Sequence, residues 1–162
     1  MEKPIYDIDA LKKQYSVLRK KYKLPEFSKL NEEFEIEKTQ ERETEFLLRE
    51  IRRTISDKIS SFIRFFELFL NPQPFPIFIL SMIKNLTAKE KTMIEKIYKE
   101  LVTVELTSLS LDIYYKEARE VEFIKDIFKK WQELKPELKE ISDILTKIQS
   151  REVEKKNRSY FG

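Results

Sequence analysis

The chain has 162 residues, 32 lysines and arginines against 29 aspartates and glutamates, no cysteine, no histidine, and one glycine, at the last position. The length suits a single domain. The composition excludes histidine-based triads, thiol nucleophiles and ordinary zinc or haem sites, and it leaves no internal glycine for a phosphate-cradling loop.

Apolar residues make up 41% of the chain and charged residues 38%, with 12 Phe and 7 Tyr. Abundant Glu, Lys, Leu and Ile with almost no Gly is the composition of long helices. Strand-and-turn folds need glycine at left-handed turn positions. The expected fold is an all-α bundle of about six helices joined by short connections. No signal-peptide pattern opens the chain, and the longest apolar run, Phe75 to Ile83, falls far short of the roughly 20 residues a membrane span needs. A cytoplasmic protein with no membrane partner and no cofactor is expected.

Ile8, Leu11, Tyr15, Leu18 and Tyr22 recur at alternating spacings of three and four. This stripe predicts a helix starting near Asp7 or Asp9, both good N-caps, and ending before Pro25. Pro25 then opens a short helix carrying Phe27, Leu30 and Phe34. The stretch near 32–45 is strongly acidic and reads as an exposed connector feeding the next helix, whose N-terminal dipole favours negative charge.

Leu48, Ile51, Ile55, Ile59, Phe62, Phe66 and Phe69 define a long helix over about 44–70. Its second half is apolar almost all round, the pattern of a helix buried on every side or covered by a partner chain. The proline-rich corner at 71–76 breaks it, and a short apolar helix over about 75–84 follows. Thr87 and Glu90 have the spacing of a capping box. The Asn85-Leu86-Thr87 sequon is read only as part of that cap.

The capped helix carries Ile94, Ile97, Leu101, Val104, Ser108, Leu111 and Tyr115, and a second stripe of Val102, Leu106, Leu109 and Ile113 widens its apolar face. The same residues alternate as strands would, so a small hairpin over 102–115 stands as a minor alternative. The absence of turn residues near Thr107-Ser108 favours the helix. After a turn over about 112–116, Val121, Ile124, Ile127, Phe128, Trp131 and Leu134 mark another helix. Pro136 starts or kinks the last one, which carries Leu138, Ile141, Leu145 and Ile148. Residues 1–150 read as one helical domain and 151–162 as a basic, flexible tail.

Three constellations bear on function. Phe62, Phe65, Phe66, Phe69, Phe75 and Phe78 crowd into one segment and suggest an interface for a protein partner or a second copy. Lys12, Arg19 and Lys23 share a side of the first helix, and with Arg49, Arg52 and Arg53 they are candidate nucleic-acid contacts. Glu117, Glu120, Glu140 and Asp143 form two carboxylate pairs expected on two helices. Hard cations such as magnesium take oxygen ligands of this kind. Their spacing is loosely similar to the motif of all-α nucleoside triphosphate pyrophosphohydrolases, although Lys116 stands where that motif begins with another Glu. The run from Phe46 to Phe66 and the capped helix after Asn85 are faintly similar to the helical domain of replication-complex GINS subunits, and no expectation is taken from that likeness.

The leading expectation is a non-enzymatic structural or protein-interaction module, with no catalytic or cofactor-binding residue. A nucleic-acid- or ribosome-associated helical protein comes second, and a magnesium-dependent nucleotide pyrophosphohydrolase third.

Overall fold

The computed structural model describes residues 7–41, 46–71 and 77–160. Of these, 91% are helical and none is in a strand. Six α-helices are described: α1 (Ile8–Tyr22), α2 (Phe27–Phe34), α3 (Leu47–Leu70), α4 (Ile77–Asn85), α5 (Ala88–Ile113) and α6 (Glu117–Tyr160). A 3-10 helix, Ile36–Glu41, follows α2. The all-α bundle expected from the composition is thus the fold.

The hairpin alternative over 102–115 is corrected by α5, which runs through the segment as far as Ile113. An alternating strand would put Val104 and Leu106 on one face. Instead Val104, Ser108 and Leu111 are buried, whereas Leu106, Leu109 and Ile113 are exposed. That is a helical period. The second stripe therefore does not widen the buried face.

Contacts group the chain into two compact units. The first takes the described residues of Met1–Ser61 and Thr103–Trp131, the second those of Phe62–Val102 and Gln132–Gly162. Helices α3, α5 and α6 contribute residues to both.

In the first unit, α1 starts where expected: the Asp7 carboxylate accepts from the Asp9 N–H at 2.9 Å. It ends at Lys23, whose φ of 55° is left-handed, a conformation that usually falls to glycine. The chain has no internal glycine, so a lysine takes that role. Helix α2 starts at Phe27, two residues later than Pro25 implied. It closes on Glu35, again left-handed, and the Asn31 side chain then accepts from the Glu37 N–H at 2.9 Å, holding the 3-10 turn. Part of the acidic stretch near 32–45 therefore lies in regular structure, and 42–45 lie outside the described residues.

The core of this unit is built from Leu11, Tyr15, Leu30, Phe34, Ile36, Ile51, Ile55, Ile59, Ile124, Ile127 and Trp131. Its polar members are partnered. The Tyr15 hydroxyl donates to the Pro25 carbonyl at 2.8 Å, and burial pushes this phenol's pKa well up. The Trp131 indole donates to Glu33 at 2.9 Å, so a buried carboxylate and a buried ring satisfy each other.

In the second unit the core is Phe66, Phe69, Ile79, Met82, Leu86, Ile94, Ile97, Leu101, Leu134, Ile141, Leu145 and Ile148. The capping box forms as its spacing implied. Glu90 accepts from the Thr87 N–H at 2.7 Å and the Thr87 hydroxyl accepts from the Glu90 N–H at 3.2 Å. Lys96 pairs with Glu137 at 2.6 Å, linking α5 to α6 on the surface. Pro136 neither starts nor ends a helix but lies within α6, and residues 151–160 continue that helix. The corner residues 72–76, Phe75 among them, lie outside the described residues.

Candidate interaction surfaces and a buried charge cluster

Arg52 has no exposed surface, although it was expected among the surface cations. It stands one residue after Ile51 on α3 and points into the first unit. Its Nε donates to Glu120 of α6 at 2.7 Å. One terminal nitrogen donates to the Ser108 hydroxyl at 2.7 Å and to the Ser108 carbonyl at 3.1 Å. The other donates to Asp112 of α5 at 2.7 Å. The Ser56 hydroxyl donates to Ser108 at 2.6 Å. One guanidinium thereby joins three helices, using the rigid fork that arginine offers to planar carboxylates.

The electrostatics follow from this geometry. Burial alone would lower the Arg52 pKa, but Asp112 and Glu120 outweigh it and hold the guanidinium charged. For Glu120 burial wins: it pushes the carboxyl up, and Arg52 pulls it back only in part. Among the described residues its Oε1 is buried with no hydrogen-bond partner, which fits that direction. The hydrogen bond from Arg52 holds Asp112 below its ordinary value of 3.8, against an opposing effect of burial.

A pH dependence follows. A carboxyl with a lowered folded pKa stabilises the fold above its unfolded value and loses that contribution as pH falls through the folded one. Asp112→Asn should therefore melt below wild type at neutral pH, and the gap should close as pH drops under about 3.8. A gap that stays constant across thermal melts from neutral pH to pH ~3 would remove Asp112 from the acid response.

The remaining cation candidates are distributed as follows. Arg49 lies against the rings of Phe46 and Tyr115, at 5.0 and 4.5 Å from their centroids. Arg53 pairs with Glu50 and Asp112. Lys12 is 5.9 Å from the Phe27 ring, Arg19 pairs with Glu26 at 3.4 Å, and Lys23 is exposed. Replacing Arg49, Arg52 and Arg53 together would therefore test folding, because Arg52 cannot reach a phosphate from inside the core.

The four acids expected on two helices all lie on α6. Glu120 is held by Arg52, and Glu117 accepts from Tyr22 and Lys21, which lower its pKa in that order. Glu140 and Asp143 are exposed. Among the described residues no group of three or more carboxylates gathers closely enough to hold a metal ion. No helix among them is long and apolar enough to cross a membrane.

The phenylalanine segment divides by burial. Phe66 and Phe69 are buried and Phe62 is half-buried, but Phe65 is 42% and Phe78 55% exposed. Phe65 stacks edge-on against Phe66 and Phe69 at 5.5 and 5.4 Å. In the second unit the end of α3, the α4 residues Phe78, Ile79 and Met82, and the α6 residues Leu138, Ile141 and Leu145 line one groove of about 390 Å³. No charged side chain lines it; its polar members are Ser142, Thr146 and Gln149. Ile77 and Leu80 on α4 are also exposed, Ile77 at 84%. No family model, curated protein or solved structure matches the chain.

Proposed function

We propose that the chain is a non-enzymatic protein-interaction module that self-associates through the aromatic groove of its second unit. The observation that carries this reading is that groove and knobs occur together. An uncharged apolar cleft, with the exposed Phe65 and Phe78 in its lining, belongs to the same unit as the exposed Ile77 and Leu80 of α4. A two-fold pairing lets each copy supply what the other lacks, as isologous interfaces require. A charged occupant would lose its hydration there without gaining an ionic partner. Large exposed aromatic clusters are uncommon on monomers, which supports a covered state in solution.

Sedimentation velocity over a concentration series tests the reading. The wild type should pass from monomer to dimer. Phe78→Ala should weaken the dimer about 30-fold, the effect of losing ~2 kcal/mol at an interface centre. Phe78 is half-exposed in the monomer, so the variant should keep its helical circular dichroism. A wild type that stays monomeric at hundreds of micromolar would sink the reading.

A further inference from the structure

We propose that the first unit binds the phosphodiester backbone of a nucleic-acid strand at a shallow pocket formed by the end of α1, the start of α2 and the first third of α6. Four cationic side chains line this pocket: Arg19 and Lys23 from α1 and its cap, Lys29 from α2, and Lys125 from α6. Lys125 is about a hundred residues from Lys23 in the chain, so the fold, not a local run of sequence, assembles the cluster. Lys12 stands on the same side of α1 as Arg19 and Lys23 and extends the positive face beyond the pocket.

The charge balance favours an anion. The pocket's single carboxylate, Glu26, is already engaged by Arg19 at 3.4 Å and Lys29 at 3.8 Å. Lys23 and Lys125 make no ion pair among the described residues. Lys125 is half-buried, so part of its hydration is given up before any ligand arrives. Phosphates held by both lysines would restore the missing counter-charge and release condensed cations.

The shape favours a strand over an enclosed small anion. The pocket holds about 410 Å³ and lies open to solvent. Its apolar lining residues are Leu24, Pro25 and the half-buried Phe128. A base face can lie against these side chains while its phosphates meet the lysines, the arrangement single-strand binders use. This surface belongs to the first unit and does not depend on the aromatic groove of the second.

Fluorescence anisotropy with a labelled oligothymidylate of about 20 nucleotides reads the proposal out. Four phosphate contacts on a single strand give a slope of about −2.8 in log affinity against log salt, so affinity should fall about 50-fold between about 50 and 200 mM. The double variant Lys23→Gln/Lys125→Gln should halve the slope, leaving a fall of about sevenfold over the same range. Lys23 is exposed and Lys125 half-buried, and unchanged circular dichroism checks the fold. Lys155→Gln/Lys156→Gln, in the basic end of α6, should bind like wild type. No salt-dependent binding by the wild type would overturn the proposal. So would an unchanged slope in the pocket variant, loss of binding in the Lys155/Lys156 variant alone, or binding to anionic lipid vesicles with none to the oligonucleotide.

Discussion

Replacing Arg52 with Ala should cost about 3–5 kcal/mol, a large part of the 5–15 kcal/mol that holds a domain together. The size of the effect comes from what is left behind. Glu120 has no exposed surface, and in the variant its carboxyl loses the guanidinium and must either hold an unpaired buried charge or take up a proton to neutralise it. Ser108 and Asp112 lose donors at the same time. The double variant Arg52→Met/Glu120→Leu should lose much less, because apolar side chains of similar volume often replace a buried pair at little cost. Urea unfolding of wild type, Arg52→Met, Glu120→Leu and the double closes the cycle. A single Arg52→Ala variant within 1 kcal/mol of wild type would show that the cluster contributes little.

Phe66→Ala should destabilise the second unit by about 3–5 kcal/mol. Phe66 is 2% exposed, with Phe62 and Phe65 at 6.5 and 5.5 Å between ring centroids. Removing its ring opens a cavity that stiff aromatic neighbours cannot collapse to fill. Phe65→Ala is the control on the same helix. Phe65 is 42% exposed, so its loss should cost the monomer far less while weakening self-association. If the two variants melt together, burial is not what separates the segment into core and surface.

The helices and most of the core were legible in the sequence because apolar spacing reports a buried stripe directly. Ile51, Ile55 and Ile59 lie where their period puts them, and so do Ile94, Ile97 and Leu101. Proline was the poorer guide. Pro25 precedes its helix by two residues, and α6 continues through Pro136, whose neighbours Leu134 and Ile141 are both buried. One missing backbone hydrogen bond is outweighed there by a packed face.

The charge cluster was the larger omission, yet its signal was present. Arg52 falls four residues after Leu48 and three before Ile55, on the apolar stripe itself. Ser108 interrupts the stripe of α5, and Glu120 leads the stripe of Ile124, Ile127 and Trp131. Three polar residues on three apolar stripes, carrying a donor and acceptors, are candidates to meet. Counting Arg52 with Arg49 and Arg53 as one basic cluster hid this, because neighbours in sequence point in different directions on a helix. The pocket formed with Lys125 was less accessible, since only tertiary folding brings α6 against the end of α1.

The Arg52 cluster also has a kinetic consequence. Its partners lie 56, 60 and 68 residues away along the chain. Turns of α3, α5 and α6 can form from local hydrogen bonds, but these bonds require loops of that length to close first. The network is therefore expected to form late in assembly. Until then a solvated guanidinium on the stripe of α3 opposes its burial against any surface that lacks two carboxylates. Interactions absent from the folding barrier act on escape from the native state. Arg52→Ala should refold at close to the wild-type rate and unfold about a hundredfold faster or more, so that this cluster sets how long the first unit stays folded rather than how quickly it gets there.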